Sequence, residues 1–429
     1  MEDQIVVIPP SRGVAELAGG EHVALLQKHL LHLRQAYGHG NRKLFYDEMV
    51  TAYLLAFFNP TLRSLRAIED MSQAPQARQH LRLRKLCRST MSDANALMEA
   101  RLLEPLIRRL KGRVRDLKKR DGQLARLLEQ VQLVDGSFFA SAANVAWALH
   151  RRRDRGKQEE SSQGQCQGEA TRRDATHYSK FRLDLRLEGS SLLPALPLRV
   201  SGQGQSEPQR ACEGIEPGVI YIADRGFECL KYVQELLDAN AEFVLRVKQD
   251  LNFESRGDQP LEEQDRAAGV ISDRIGRLSG SPHTHAARVV PAQELRQVVV
   301  FDPKNPDKPI RLITSLIDLP AHIIAQLYQW RWQIELFFRW LKVHANFAHL
   351  ISHSRNGLTL GFHVAVIAVL LIYLRTGRPM SKYAYNLLGL VAAGWGTVAD
   401  ILPILENRER ECELARARLA RKRAEKIVK

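Results

Sequence analysis

Cysteine is scarce in this sequence, and its spacing excludes two common kinds of site. Five cysteines occur in 429 residues, with no Cys-x-x-Cys pair and no histidine-rich spacing near them. Neither a zinc site nor a disulfide framework is therefore expected, and the composition fits a reducing cytosol.

Long hydrophobic runs are also missing. The longest, residues 364–374, is too short to cross a bilayer and is followed by Arg375, so we expect a buried helix there. The first residues lack the basic start and apolar core of a signal peptide. Neither a membrane anchor nor a secretion signal is expected.

Acidic residues are too few to balance the basic ones. There are 63 Lys and Arg against 48 Asp and Glu, which gives a formal net charge of +15, with a local excess of base at residues 78–120. This charge favours a polyanionic partner, nucleic acid before a membrane surface. With 45% hydrophobic residues, the chain has the composition of a soluble globular protein. Its length of 429 residues is too great for one simple core, so two to four domains are expected.

Apolar periodicity predicts a helical region over residues 1–130. Within it, two short helices joined by a polar turn lie beside the basic stretch, an arrangement compatible with a helix-turn-helix-like DNA reader. A plain helical bundle with a solvated basic face explains the same pattern equally well.

The residue pattern changes near Gln130, where short runs rich in β-branched and apolar residues begin. Five runs predict strands, and their order (three in hairpin sequence, then strand, helix, strand) indicates a mixed sheet. A polar, low-complexity segment between the first two runs, residues 151–174, predicts a surface loop. Residues 250–317 read as a β-rich insertion, followed by a long helix at 320–342, an apolar helix at 362–374 and a charged helical tail.

Two predicted strands end in an acidic residue, and the long helix carries a third. Asp135 and Asp224 each follow an apolar run, and Glu335 lies on the helix. An acid at a strand end is usually a turn residue when it stands alone. If the two strands are neighbours, however, the three carboxylates could meet, and their repulsion would require a counter-charge. Oxygen ligands without His or Cys favour Mg²⁺ or Mn²⁺, and two such ions suit in-line displacement at phosphorus.

The long helix has a second informative pattern. At about 100° per residue, Tyr328, Arg331, Glu335 and Lys342 fall within a stripe about 60° wide on one helix. Arg331 could contact a phosphate next to the scissile one, Lys342 a more distant phosphate, and Tyr328 could hydrogen-bond to or stack on displaced DNA. An amphipathic helix with a Glu-Lys surface pair is the structural alternative.

The spacing Tyr-x2-Arg-x3-Glu-x6-Lys resembles the YREK signature of the insertion-sequence-four family of bacterial DDE transposases. The segments LVDGS and IADRGF are similar to the surroundings of that family's first two catalytic aspartates. The likeness covers about residues 131–375 and is loose before residue 130. Arg182 departs from the pattern, since family members often carry histidine there.

The resemblance implies an α/β fold with a ribonuclease-H-like mixed-sheet catalytic core. This core would occupy residues 131–249 and 318–375, interrupted by the β-strand insertion at 250–317 and flanked by the helical regions 1–130 and 376–429. Asp135, Asp224 and Glu335 would be the catalytic and metal-binding triad, using two Mg²⁺ or Mn²⁺ ions. The N-terminal helices would bind the terminal inverted repeats of double-stranded DNA.

The function implied is cut-and-paste DNA transposition by a homodimer acting in the bacterial cytoplasm, at the nucleoid. Two alternatives remain at the level of the sequence. One is a catalytically silent or domesticated DNA-binding protein, and the other is a stand-alone ribonuclease-H-like endonuclease.

Overall fold

The computed structural model describes most of the chain in separate ranges. These ranges are residues 25–37, 43–59, 61–75, 85–116, 123–140, 180–197, 199–201, 207–279, 291–343, 351–376, 382–392 and 396–427. The predicted polar loop at 151–174 lies outside the described residues.

A nine-stranded sheet forms the centre of the described structure. Its strands are β1 (Val131–Ala140), β2 (Lys180–Glu188), β3 (Arg199–Ser201), β4 (Ile220–Ala223), β5 (Glu242–Val247), β6 (Phe253–Asp258), β7 (Val270–Leu278), β8 (Leu295–Val300) and β9 (Ile310–Thr314). They are ordered β3-β2-β1-β4-β5-β9-β8-β7-β6. The pairs β1–β4 and β4–β5 are parallel and the others are antiparallel, so the predicted mixed sheet is confirmed.

The register of β1 against β4 fixes the relation between two of the predicted acids. The last paired residues are Val134 and Ala223, and each is followed directly by an aspartate, Asp135 and Asp224. β4 is wholly buried and has no charged residue, which suits a central parallel strand covered on both faces. The two strands are therefore neighbours, which is the condition under which the sequence allowed their acids to meet.

The strands of residues 250–317 continue the main sheet. β9 pairs antiparallel with β5, and β8, β7 and β6 follow outward from it. The predicted strand-like segment around residues 286–292 lies largely outside the described residues. The described strands of residues 250–317 thus extend the main sheet at one edge.

Helices cover the sheet and form both ends of the chain. They are α1 (described over 25–36), α2 (Tyr46–Phe58), α3 (Leu65–Gln73), α4 (Arg88–Leu97), α5 (Glu104–Asp116), α6 (Gln123–Gln130), α7 (Glu207–Ala211), α8 (Leu230–Asp238), α9 (Glu263–Ala267), α10 (Ala321–Trp330), α11 (Trp332–Val343), α12 (Arg355–Thr376), α13 (Lys382–Ala392) and α14 (Val398–Ile427). One continuous hydrophobic core is formed by the N-terminal helices, α12 and the face of β1 and β2 that carries Leu133 and Leu183.

The apolar helix α12 is longer than the sequence predicts, with 22 residues. By length and composition it could cross a membrane, but 89% of its most apolar window is buried inside the protein. It packs against α2, α4 and α5, and its aromatic Phe362 meets the rings of Phe139 and Phe181. The prediction of a buried helix is confirmed.

The predicted continuous helix over residues 320–342 is wrong in one respect. The chain forms two helices, α10 and α11, with a break at Arg331. Here the hydrogen bonds tighten to a three-residue spacing, from Arg331 N–H to Tyr328 C=O and from Ile334 N–H to Arg331 C=O. The four signature residues therefore do not share one straight helical stripe.

Candidate active site

Asp135 and Asp224 directly follow the last paired residues of the parallel strands β1 and β4. The structure corrects one expectation, because β1 continues to Ala140 and Asp135 lies in the middle of the strand. Because they follow paired residues on adjacent strands, their side chains share one face of the sheet at a strand spacing of about 4.8 Å. One carboxylate oxygen of Asp135, Oδ1, accepts a hydrogen bond from the backbone N–H of Gly136 at 2.7 Å. The register therefore places two carboxyl groups, which are hard oxygen donors, on the same face of neighbouring strands.

Burial dominates the electrostatics of Asp135. Desolvation raises the pKa of its carboxyl to about 6, although the Gly136 N–H and the charges of Arg331 and Arg182 oppose the shift. The negative charge of Glu335 adds to it. When ionised, the buried Asp135 carboxylate is therefore stabilised by a nearby cation. Arg331 and Glu335, which belong to the signature carried by α10, α11 and the break between them, are close enough to affect its pKa.

Asp224 is held by a hydrogen bond from helix α10, which carries the first signature residue, Tyr328. The hydroxyl of Tyr328 donates a hydrogen bond to Oδ1 of Asp224 at 3.1 Å. Burial, with the charge of Asp224 second, raises the pKa of Tyr328 to about 12, so the hydroxyl remains a proton donor near neutral pH. Arg246 of β5 approaches the same carboxylate oxygen, with Nη1 at 3.7 Å.

Glu335 is paired with a cation four residues earlier in the chain, at the break just before α11. Nη2 of the buried Arg331 lies 2.6 Å from Oε1 of Glu335, and its guanidinium carbon lies 5.6 Å from the centre of the Tyr328 ring. Burial disfavours a charged Arg331, but Tyr328, Asp224 and Glu335 outweigh this effect and raise its pKa. Arg331 therefore provides positive charge in the space between the acids.

Lys342 reaches back to β1. Its Nζ donates a hydrogen bond to Oγ of Ser137 at 2.7 Å and lies 5.1 Å from the centre of the Phe139 ring. Ser137 follows Asp135 by two positions, so both side chains lie on the same face of the strand. All four signature side chains thus lie near the point where the parallel pairing of β1 with β4 ends.

The residues fit a divalent cation in part. Asp135 and Asp224, on neighbouring strands, supply oxygen donors of the type that Mg²⁺ and Mn²⁺ prefer. Within the described ranges, no three His, Cys, Asp or Glu side chains are close enough to form a metal-binding group. Glu335, which is hydrogen-bonded to Arg331, would have to change partner to become a third ligand.

Two residues that contact predicted site residues, Arg246 and Ser137, were not predicted from the sequence. Arg246 is one of two residues of β5 that are not fully buried, and a basic residue in such an apolar strand is a signal that could have been used. Ser137 could have been found from the period of two that places it beside Asp135. Both make direct contacts with predicted site residues.

Comparisons with known proteins point to one family. Residues 206–371 match the family model described as "Transposase DDE domain". Three bacterial relatives named as transposases are similar to the chain. The first, y4zB of Sinorhizobium fredii, is 31% identical over 160 residues, which cover 37% of this chain and 43% of the relative. The transposase of insertion sequence element IS5377 of Geobacillus stearothermophilus is 25% identical over 158 residues, which cover 36% of this chain and 38% of the relative. The transposase of element IS4SA of Synechocystis sp. is 26% identical over 163 residues, which cover 36% of this chain and 40% of the relative.

The match spans less than half the length of each of these relatives. The predicted resemblance to DDE transposases is confirmed over this region, and its expected fold agrees with the mixed sheet and helical flanks. The narrower assignment to the insertion-sequence-four family is consistent with these matches and stays a prediction.

Proposed function

We propose that this protein is a DNA transposase, because residues 206–371 match the family model of the transposase DDE domain. It would cleave strands at the ends of a mobile element and join the freed 3′-hydroxyls to target DNA, in a cut-and-paste reaction. The observation that supports this best is that Asp135 and Asp224 directly follow the last paired residues of the parallel strands β1 and β4, bordered by the side chains of Tyr328, Arg331 and Lys342.

In this proposal Asp135, Asp224 and Glu335 form the catalytic triad and hold the metal. The DDE transposase family generally uses divalent metal ions, and we propose two Mg²⁺ or Mn²⁺ ions here. When bound, such ions would activate the attacking water or 3′-hydroxyl and stabilise the leaving oxygen. For Glu335 to take part, its carboxylate has to exchange the Arg331 guanidinium for the metal, which releases Arg331 to contact DNA.

The basic side chains around the acids are suited to hold the phosphodiester. Arg331 and Arg246 both approach the carboxylates, and each could pair with a phosphate oxygen once cations neutralise those acids. Lys342 provides a point charge farther along β1, and Tyr328 provides a protonated hydroxyl. We propose that these four residues orient the strand to be cut.

The helical regions would serve DNA-end binding and pairing. Several arginines on and next to α5 are exposed, including Arg101, Arg108 and Arg109, and they provide basic surface for the terminal inverted repeats. Because two ends must be paired with one active site for each, we propose that a homodimer acts on DNA. Its place of action would be the nucleoid of a bacterial cell.

The decisive experiment is strand cleavage by the purified chain on a duplex that contains the element end. The duplex would be taken from the DNA flanking the gene, where this proposal expects inverted repeats bordered by short direct duplications. Cleavage and strand transfer are expected with Mg²⁺ or Mn²⁺, and we expect each to be lost in Asp135→Asn, Asp224→Asn and Glu335→Gln. The matched control is Asp238→Asn, an exposed acid at the end of α8 that should cut like the wild type.

Two outcomes would favour other functions. Binding of the end duplex without metal-dependent cleavage would indicate a silent DNA-binding protein. Cleavage of branched DNA without joining would indicate a stand-alone endonuclease of the ribonuclease-H-like type.

A further inference from the structure

Arg182 lies on the strand next to the first acid of the proposed triad, on the far face of the sheet. On β2 it pairs in register with Phe138 of β1, and only 3% of its surface is exposed. A Cβ atom built on Gly136 would lie 2.2 Å from Nη2, 2.3 Å from Nε and 2.4 Å from Cζ of Arg182. The flat guanidinium therefore occupies the place that a side chain at position 136 would take.

The guanidinium is fixed in this place by a chain of ion pairs. Nε of Arg182 donates to Oδ1 of Asp184 at 2.7 Å, and Nε of Arg210 lies 2.8 Å from Oδ2 of the same carboxylate. The three side chains are between 3% and 16% exposed, so water screens these contacts weakly. Through them, α7 and β2 hold Arg182 against β1.

The contact on Gly136 reaches the other face of the sheet through the backbone. Asp135 points to the opposite face, toward the signature helices, because side chains alternate along a strand. Yet its carboxylate accepts the N–H of Gly136 at 2.7 Å. Whatever fixes the peptide plane at Gly136 therefore also fixes the direction of the Asp135 carboxylate.

We propose that Arg182 is a positioning residue for Asp135. By pressing its guanidinium plane on Gly136, it holds the peptide whose N–H orients the metal-binding carboxylate. This inference rests on the proposed function, because it requires Asp135 to bind a divalent cation. It also explains why position 136 is glycine, since any larger residue would displace the guanidinium.

A purely electrostatic role for Arg182 makes the opposite prediction. Removing a positive charge near Asp135 would strengthen the attraction for a cation, whereas losing the orientation of the carboxylate would weaken metal binding. The sign of the change in metal affinity thus separates positioning from charge. The two roles also differ for Arg182→Lys, which keeps the charge but lacks the flat guanidinium.

The test measures Mn²⁺ alone binding to the full chain by isothermal titration calorimetry at pH 7.5, with thermal unfolding to check the fold. Relative to the wild type, we expect Mn²⁺ binding to weaken by about 10-fold in Arg182→Ala, the range typical of residues that orient a metal ligand. In Arg182→Lys it should weaken by about 3-fold. The matched control is Arg186→Ala on the same strand and face, whose guanidinium bonds to the carbonyls of Ala211 and Glu213, and which should change Mn²⁺ affinity less than 2-fold.

A double-mutant cycle tests the steric contact itself. Gly136→Ala should weaken Mn²⁺ binding by about 10-fold or more in the wild type, because the new methyl group displaces the guanidinium. In the Arg182→Ala background the space is free, so the same substitution should cost less than about 2-fold. Equal costs in the two backgrounds would overturn the inference.

The remaining outcomes also decide the matter. Unchanged or tighter Mn²⁺ binding by both Arg182→Ala and Arg182→Lys would reject positioning, and Arg182→Lys alone decides if the alanine variant does not fold. Asp135→Asn separates this inference from the proposed function. If Asp135→Asn abolishes Mn²⁺ binding while the Arg182 variants bind normally, the inference alone fails, and if Asp135→Asn binds like the wild type, the metal site and the inference fail together.

Discussion

The hydroxyl of Tyr328 and the carboxylate of Asp224, 104 positions apart in sequence, are joined by a hydrogen bond of 3.1 Å. This contact connects helix α10 to the end of β4, at the point where β4 runs beside β1. It gives the first residue of the signature a definite task, which is to hold the second aspartate of the proposed triad. The donor is buried and stays protonated, since its pKa is raised to about 12.

Replacing Tyr328 by Phe should therefore slow DNA cleavage without unfolding the protein. The change removes one hydrogen bond to a charged carboxylate, a contribution of about 1.5 kcal/mol, so we expect roughly a 10-fold lower single-turnover cleavage rate. The rate on an end-containing duplex, measured at saturating Mg²⁺, checks this.

Tyr385 offers a matched control for that substitution. It is also a buried tyrosine, and its hydroxyl donates to the carbonyl of Phe57 at 2.8 Å, among helices α2 and α13. Tyr385→Phe should lower thermal stability slightly and leave the cleavage rate within 2-fold of the wild type. A cleavage rate for Tyr328→Phe equal to that of Tyr385→Phe would show that the contact with Asp224 does not matter for catalysis.

The Arg331–Glu335 pair leads to a second prediction. Arg331→Gln removes a buried cation that bonds to Glu335 and lies near Asp135 and Asp224. We expect DNA cleavage to fall by at least about 100-fold, because phosphate contact and orientation of Glu335 are lost together. Arg339→Gln, an exposed arginine two turns along α11, is the control and should retain at least half of the wild-type rate.

The sequence predicted those parts of the site that depend on local pattern. The apolar runs that end in Asp135 and Asp224 gave the strands, and the alternation of three hairpin strands with a strand-helix-strand unit gave the mixed sheet. The spacing of Tyr328, Arg331, Glu335 and Lys342 singled out four side chains that lie near Asp135 and Asp224 in the structure, and their roles in catalysis and DNA binding stay predictions. Period and chain order suffice for these features.

The features that depend on tertiary pairing could not be read in this way. Neither Pro nor Gly marks the break at Arg331, where the backbone bonds tighten around a buried guanidinium. The contacts of Arg246 with Asp224 and of Lys342 with Ser137 join distant segments, and local spacing carries no information on them. The close approach of Arg182 to Gly136 depends in the same way on the register between β1 and β2.

The titration of Asp135 leads to a third prediction, on stability against pH. Burial raises the pKa of this carboxyl from its usual 3.8 to about 6, so the folded state holds the proton more tightly than the unfolded chain. The stabilising effect of the bound proton is complete below about pH 4 and is lost as pH rises through about 6. Without metal, the wild type should then be less stable than Asp135→Asn at pH 7.5, by up to about 3 kcal/mol.

Urea unfolding in EDTA at pH 7.5 and pH 4 measures this difference, which should shrink toward zero at the lower pH. Adding Mn²⁺ at pH 7.5 should stabilise the wild type and leave Asp135→Asn unchanged, because the cation replaces the missing counter-charge. The exposed Asp238→Asn variant should stay within about 0.5 kcal/mol of the wild type at both pH values. A pH-independent gain in Asp135→Asn would contradict the assignment of the buried charge.

The link between the edge strands and the signature helices leads to the last prediction. Arg296 of β8 forms a buried ion pair with Asp273 of β7, and its Nη1 donates to the carbonyl of Ile317 at 2.8 Å and to that of Leu319, just before α10 begins. Arg296→Met keeps the apolar bulk but leaves Asp273 buried without its partner and frees the segment that leads into α10. The loss of a buried pair typically costs about 3–5 kcal/mol, so the midpoint of urea unfolding should fall clearly. The exposed Arg256→Met, whose partner Glu294 lies 3.9 Å away, should cost less than about 1 kcal/mol.

The same substitution of Arg296 should also affect catalysis. Because Arg296 holds the segment that leads into α10 and so to Tyr328 and Glu335, the folded fraction of Arg296→Met at low temperature should cleave DNA more slowly. Normal cleavage per folded molecule would show instead that the edge strands stabilise the sheet without positioning the active site.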